Sequence, residues 1–215
     1  MTNSSITRKL AAIMFTDIVG FTNISAKDEN KALALLDKQE EILYPIIEKF
    51  NGVVHKNLGD GLLITFSTVT EAIKCGIESQ QALKSIEDLE IRIGIHEGEV
   101  TLKDGDVFGD DVNVASRIEP FAPVGGIAIS GKVQQNISSL PEYETTFVDN
   151  PSLKGVGQDV KIFCITSHDL PKPNKSRILK KADNKRPTFN IFAITGGILT
   201  FVGLVFWFSI GILGI

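Results

Sequence analysis

VVHKNLGDGLLITF, at residues 53–66, consists of two strand-like runs separated by three residues that favour a turn. The runs at 53–58 and 62–66 are rich in β-branched and large apolar side chains, as strands are. Between them, Gly59-Asp60-Gly61 supplies the glycines that a tight turn requires. The pattern predicts a β-hairpin with Asp60 at its tip.

Outward from this hairpin, the spacing of apolar residues predicts alternating helices and strands. Upstream, an apolar run at 10–15 predicts a buried strand that ends at Thr16-Asp17, and helical spacing predicts a helix over 30–50 with Pro45 inside it. Downstream, the predicted elements are a helix over 68–86, a strand at 91–95, a helix over 112–121 and strands at 126–130, 143–148 and 160–165. The order β, α, β, β, α, β predicts an α+β domain with a ferredoxin-like core and extra strands.

The last 25 residues, 191–215, contain no charged side chain and are predicted to form a C-terminal transmembrane helix. At about 1.5 Å per residue, such a run crosses the roughly 30 Å hydrocarbon core of a bilayer. The alternative is a buried core helix, although core helices are usually shorter and carry a polar stripe. Residues 168–190 are predicted to be a basic linker, which either contacts anionic lipid headgroups or is a solvated tether.

The distribution of charge indicates on which side of a membrane the globular part lies and which class of partner is disfavoured. Basic residues precede the apolar segment and none follows it, so residues 7–167, the predicted globular domain, are expected on the cytoplasmic side of the inner membrane. Outside the linker, the chain has 15 basic and 24 acidic side chains, a net charge of about −9. This acidity argues against nucleic acid as a partner. Cys75 and Cys164 are isolated thiols, which fits a reducing compartment.

Two aspartates stand at the ends of predicted strands. Asp17 follows the first strand and Asp60 lies at the hairpin tip, so the two converge if these strands are neighbours in the sheet. Carboxylates at close range repel each other unless a cation lies between them, and ligands that are all oxygen favour magnesium or manganese over zinc. Aspartates beside glycines are also common turn formers. Spacing alone therefore leaves a metal site and two ordinary turns as alternatives.

Four motifs, in this order along the chain, resemble those of the class III adenylyl and guanylyl cyclase family. They are FTDIVGFT at 15–22, KNLGDG at 56–61, RIGIHEGEV at 92–100 and DVFGDDVNVASRIE at 106–119, and the likeness covers about residues 11–165. Four ordered motifs are far more specific than any one of them. The resemblance implies a catalytic domain that makes a cyclic nucleotide and pyrophosphate from a nucleoside triphosphate.

The resemblance implies that Asp17 and Asp60, with the main-chain carbonyl of Ile18, bind two Mg²⁺ or Mn²⁺ ions per site. In this family the metals activate the ribose 3′-hydroxyl for in-line attack on the α-phosphate. Lys56 and Asp106 match the pair that reads the purine, and both are of the adenine-selecting type. A lysine donates to adenine N1 and a carboxylate accepts from the N6 amino group, whereas guanine offers each of them the wrong partner. The predicted substrate is therefore ATP, and the predicted activity is that of an adenylyl cyclase.

The remaining assignments from the resemblance concern the ribose and the phosphates. Asn113 matches the residue that orients the ribose, and Arg117 matches the one that stabilises charge on the transferring phosphate. Four apart on a helix, these two side chains share one face. Lys154 resembles a late lysine that holds the terminal phosphates, with an ordinary surface lysine as the alternative. Family members take the metal aspartates from one protomer and the other groups from its partner, which implies a head-to-tail C2 homodimer with two sites.

Two other functions compete with an adenylyl cyclase. A guanylyl or promiscuous cyclase would keep the metal and phosphate residues and differ only in the purine pair. A catalytically silent membrane-bound module for nucleotide binding or dimerisation would be expected to have lost a metal aspartate or the arginine, and here all are present. His55 and His96 have no triad partner suggested by the sequence and are expected to be structural.

Overall fold

The computed structural model describes residues 6–157 and 159–174 of the 215-residue chain. Its strands are β1 (Thr7–Ile18), β2 (Val53–Asn57), β3 (Leu62–Phe66), β4 (Ile91–Lys103), β5 (Asp106–Phe108), β6 (Ile127–Ser130), β7 (Thr145–Asp149) and β8 (Ile162–Ile165). Its helices are α1 (Phe21–Lys27), α2 (Glu29–Lys49), α3 (Val69–Leu83), α4 (Asp110–Ile118) and α5 (Gly131–Ile137), with a 3₁₀ turn at Glu119–Phe121. None of these described helices has the length and hydropathy of a membrane span. The predicted transmembrane helix, 191–215, and most of the predicted linker lie outside the described residues.

One mixed sheet organises the described residues, in the order β2-β3-β1-β4-β6-β8-β7, with β5 paired to β4. Strand β1 lies between β3 and β4 and is antiparallel to both, and its pairing with β4 runs from Thr7 opposite Leu102 to Ile18 opposite Ile91. Strands β4 and β6 form a parallel pair. The α+β class and the order β, α, β, β, α, β are thus confirmed, with the first predicted helix present as α2 and a short helix, α1, before it that was not predicted.

The two faces of β1 pack against different layers, because successive side chains of a strand point to opposite faces. Ala12 and Met14 pack in a core with residues of α2, α3 and α5. Ala11, Ile13 and Phe15 pack in a smaller core that includes Ala115 of α4. Burial on both faces explains the unbroken apolar run in this strand. Helix α4 therefore lies on the face of the sheet opposite α2 and α3.

The boundaries of several predicted elements differ from those observed; β1, for example, extends over Thr7–Ile18 where 10–15 was predicted. Strand β4 extends from Ile91 to Lys103, beyond the predicted 91–95, because pairing with β1 continues past the apolar run into polar residues. The helix predicted over 112–121 begins at Asp110 and ends at Ile118, where a 3₁₀ turn takes over. Pro45 lies inside α2, which continues through it to Lys49. Apolar periodicity alone could not locate these ends.

Candidate active site

The hairpin tip that carries Asp60 folds against the end of β1. The main-chain N–H of Ile18 donates to the carbonyl oxygen of Asp60 at 2.9 Å, and the N–H of Leu62 donates to Oγ1 of Thr16 at 3.0 Å. A Cβ built on Gly61 would collide with the main-chain carbonyl oxygen of Thr16, so this close approach requires a glycine. The structure therefore brings the backbones of residues 17–18 and 60 together at the C-terminal end of β1, on the edge of the sheet formed by the strand ends.

Arg92 also belongs to this site, although the sequence alone predicted no role for it. It lies opposite Asp17 in the β1–β4 pairing, with its Nη1 3.6 Å from Oδ2 of Asp17 and 3.8 Å from Oε1 of Glu119. Only 4% of the Arg92 side chain is exposed, and a charge this buried is tolerated only when it is paired. The signal in the sequence was a single charged residue within the apolar run at 91–95.

The donors at this edge fit a hard divalent cation. The carboxylates of Asp17 and Asp60 and the carbonyl of Ile18 are all oxygen donors, which Mg²⁺ and Mn²⁺ prefer. No group of three or more His, Cys, Asp or Glu side chains able to hold a metal occurs in the described part of the chain.

The two residues predicted to read the purine lie side by side. Lys56 is in β2 and Asp106 begins β5, and Nζ of the lysine is 2.8 Å from Oδ2 of the aspartate. Both side chains are partly exposed, and the Lys56 ammonium also lies over the ring of Phe108, 5.6 Å from its centroid. The N–H of Val107 donates to the other carboxylate oxygen of Asp106 at 2.7 Å. These contacts hold one donor and one acceptor next to each other at the surface.

Helix α4 presents Asn113 and Arg117 away from its buried side. Val114, Ala115 and Ile118 form the buried side, whereas Asn113 is exposed and Arg117 is partly exposed. The fold therefore places the two predicted groups on one helical face.

Lys154 lies in the connection between β7 and β8 and is exposed. In the described ranges it forms no ion pair or hydrogen bond with the other predicted site residues. The structure therefore leaves open both interpretations of this residue, a ligand for terminal phosphates and an ordinary surface lysine.

His55 and His96 are held by structural contacts. Nε2 of His55 lies 2.8 Å from Oγ1 of Thr65, and its Nδ1 lies 3.3 Å from the carbonyl oxygen of Gly105. His96 is buried in β4, where its Nε2 lies 3.0 Å from Oδ1 of Asp111. Burial lowers the pKa of His96, which keeps the ring neutral.

Comparison with known proteins places most of the described chain in one family. The family model for the adenylate and guanylate cyclase catalytic domain matches residues 5–167. Putative adenylate cyclase 3 of Rhizobium meliloti (strain 1021) is 34% identical over 179 residues, which cover 79% of this chain and 30% of that protein. An adenylate cyclase of Streptomyces griseus is 31% identical over 137 residues, which cover 61% of this chain and 34% of that protein. The chain thus spans about a third of the length of these relatives.

Solved structures agree with the family match. The adenylate/guanylate cyclase/hydrolase from Silicibacter pomeroyi has a TM-score of 0.71 and 30% identity, covering 78% of this chain and all of that one. The catalytic core of a rhodopsin-guanylyl cyclase with converted specificity, solved in complex with ATPαS, has a TM-score of 0.69 and 26% identity, covering 76% and 99% of the two chains. The mixed α+β fold described above is therefore the fold of these cyclase domains.

Proposed function

Because the chain belongs to the adenylate and guanylate cyclase catalytic domain family, we propose that it is an adenylyl cyclase that converts ATP to 3′,5′-cyclic AMP and pyrophosphate. The observation that carries the choice of ATP is the adjacency of Lys56 and Asp106, with Nζ and Oδ2 2.8 Å apart. A donor and an acceptor at this separation complement N1 and the N6 amino group of adenine. With guanine, the lysine would face the N1 hydrogen and the carboxylate would face the O6 oxygen.

Asp17, Asp60 and the carbonyl of Ile18 are the groups that would hold two Mg²⁺ or Mn²⁺ ions. When bound, such ions supply Lewis acidity for the ribose 3′-hydroxyl and neutralise charge on the phosphates. The hydrogen bond between Ile18 and Asp60 supports this assignment, because it holds the hairpin tip against β1. Arg92 offsets the charge of Asp17 from the interior side of the same edge.

Asn113 and Arg117 would act on a nucleotide that is bound to the aspartates of a second copy of the chain. Asn113 would orient the ribose, and the guanidinium of Arg117 would stabilise charge that develops on the phosphate as the 3′ oxygen bonds to phosphorus and pyrophosphate leaves. Lys154 would hold the terminal phosphates. The family match supports a head-to-tail homodimer in which each copy supplies both halves and two equivalent sites form.

The membrane attachment of this enzyme is also part of the proposal. The uncharged residues 191–215 would form one transmembrane helix, the basic residues 168–190 would link it to the domain, and the domain would face the cytoplasm at the inner membrane. Support comes from the absence of charge in the last 25 residues and from the cluster of Lys and Arg that precedes them.

The experiment that tests the proposed activity uses the full chain in detergent, with ATP or GTP and with Mg²⁺ or Mn²⁺. We expect cyclic AMP from ATP, and we expect Asp60→Ala to lower its formation by about 100-fold or more because a metal ligand is lost. Asp37→Ala is the matched control, since Asp37 is an exposed aspartate of α2. Cyclic GMP as the main product would identify a guanylyl cyclase, and no product from either nucleotide would identify a silent module.

A further inference from the structure

Helix α4 carries Asn113 and Arg117, yet its N-terminus lacks a side-chain cap. The N-cap residue is Gly109, which has no side chain to accept a hydrogen bond from the first turn. The helix is nine residues long and ends in a 3₁₀ turn, so its own backbone fixes its position only weakly. Its placement must therefore come from contacts with the sheet.

Asp111, in the first turn of α4, adds polar contacts to the apolar packing of this helix, and it does so with both carboxylate oxygens. Oδ2 accepts a hydrogen bond from the main-chain N–H of Glu99 at 2.9 Å, and Oδ1 accepts one from Nε2 of His96 at 3.0 Å. Both partners belong to β4. The ammonium of Lys132, in α5, lies 3.8 Å from the same Oδ1. One side chain thus ties the start of α4 to the central part of the sheet.

The space for this carboxylate exists only because residue 98 is a glycine. A Cβ built on Gly98 would collide with Cβ, Cγ and Oδ2 of Asp111. The colliding atoms belong to a short side chain held by hydrogen bonds, so it could move aside only by losing them. Strand β4 is therefore shaped to receive the residue at position 111.

The imidazole of His96 is suited to hold Asp111 in one orientation. The ring is buried in the sheet, and its Nδ1 has no hydrogen-bond partner in the described residues. The proton of the neutral ring therefore lies on Nε2, where it is donated to Asp111. The other charged groups near the ring are Lys132 and Glu97, and the carboxylate of Glu97 accepts a hydrogen bond from Asn136 at 2.7 Å.

We propose that Asp111 is a positioning residue for the cyclase reaction: held by His96 and the main chain of Glu99 over Gly98, it sets where α4 presents Asn113 and Arg117. Asn113 is two residues beyond it and Arg117 six, within two turns of one rigid helix. A displacement of about 1 Å of groups that act on the reacting phosphate costs on the order of 100-fold in rate. This inference rests on the proposed function, in which Asn113 and Arg117 act on the partner's nucleotide.

The first test compares Asp111→Ala and Asp111→Asn with Asp110→Ala in the full chain. Asp110 is the matched control, because it has the same charge in the same helical turn but is exposed. We expect Asp111→Ala to lower kcat by about 10- to 100-fold with a smaller change in KM for ATP, because transition-state contacts are lost. Asp111→Asn keeps an acceptor for the Glu99 N–H and should recover part of kcat. Equal kcat for Asp111→Ala and Asp110→Ala would overturn the proposal.

In the proposed dimer, each site has a metal half with Asp60 from one copy and an α4 half with Arg117 from the other. The second test asks in which of these halves Asp111 acts. Co-expression of Asp111→Ala with Asp60→Ala gives heterodimers with one intact site, so activity should return to about a quarter of wild type if subunits pair at random. Asp60→Ala with Arg117→Ala should give the same recovery. Asp111→Ala with Arg117→Ala should give none, because both changes affect the α4 half.

The outcomes distinguish a failure of this inference from a failure of the proposed function. Failure of the Asp60→Ala and Arg117→Ala pair to recover activity would contradict the shared site itself, and the kcat comparison with Asp110→Ala would still decide the role of Asp111. Recovery by that pair, but not by Asp60→Ala with Asp111→Ala, would show that loss of Asp111 damages the whole protomer. That result would overturn a positioning role, as would recovery of Asp111→Ala by Arg117→Ala.

Discussion

Two ionisable side chains buried in the described sheet, Arg92 and His96, each have a carboxylate within reach. Arg92 lies between Asp17 and Glu119, and His96 lies against Asp111. Removal of one partner would leave the other buried without compensation, which costs more than the pair itself contributes. These residues therefore connect the stability of the fold to the geometry of the site.

The state of His96 makes the stability of the domain depend on pH. Burial lowers the pKa of His96 below its ordinary value of 6.5, so the unfolded chain binds a proton where the folded chain does not. The part of the unfolding free energy that depends on a neutral His96 is fully present above pH 6.5 and is lost as pH falls toward the lower pKa of the folded state. We expect His96→Gln to reduce the decline of unfolding free energy with falling pH, measured by urea denaturation. His55→Gln is the control, and identical slopes for the two variants would contradict this account.

The identity of the purine should follow the pair Lys56 and Asp106. We expect Lys56→Glu combined with Asp106→Cys to shift the preference from ATP toward GTP by about 10-fold or more, because a carboxylate accepts from guanine N1 and a thiol donates to O6. The rate of each cyclic nucleotide measures the shift. Lys56→Glu alone places two carboxylates where an ion pair stood, so this variant should be poor with both nucleotides. An unchanged preference for ATP in the double variant would contradict the assignment.

At the scale of elements, the hairpin of β2 and β3 and the first turn of α4 share one feature. Each approaches the central strands so closely that only a glycine fits at the contact, Gly61 for the hairpin and Gly98 for the helix. Each contact also has a main-chain N–H donating beside it, from Ile18 to the carbonyl oxygen of Asp60 and from Glu99 to Oδ2 of Asp111. The candidate site is therefore built on close backbone packing as well as on its functional side chains.

Gly61→Ala should separate the hairpin tip from β1. The added methyl group would collide with the carbonyl oxygen of Thr16, and relief of the collision would break the hydrogen bond from Ile18 to Asp60. We expect an activity loss of about 10- to 100-fold and weaker Mn²⁺ binding by calorimetry, because the two aspartates no longer converge. Gly157→Ala, at a position with open space around it, should change neither quantity. Unaltered Mn²⁺ binding in Gly61→Ala would argue against this role for the hairpin tip.

At the scale of the whole molecule, the proposed catalytic domain needs a second copy of the chain to complete its site. The uncharged segment 191–215 would keep such copies on one membrane. We expect the full chain to float with lipid vesicles and residues 1–174 to stay in solution, because only the full chain contains the uncharged segment. The activity of residues 1–174 should rise faster than linearly with protein concentration, whereas the membrane-bound chain should depend on it less. Flotation of the shorter chain, or linear activity from it, would contradict the anchor or the dimer respectively.

Much of the fold was predictable because its signals are local. The hairpin around Asp60 follows from two apolar runs and a glycine-rich turn, and the long helix that ends near Phe50 follows from its apolar periodicity. The end of β4 was not predictable in this way, since residues beyond Ile95 are held as a strand by pairing with β1. The positions of the candidate site residues came from the family resemblance of the motifs, and their chemical roles remain predictions.

The sequence alone was enough for the α+β order of elements, the hairpin carrying Asp60 and the family, because periodicity, turn chemistry and motifs are written in neighbouring residues. Only the tertiary structure decided that Arg92 faces Asp17, that Lys56 pairs with Asp106 and that Asp111 fits over Gly98. These contacts join separate elements, and strand register and helix docking determine which side chains meet. No local pattern encodes that register, so the supports of the site became visible only in three dimensions.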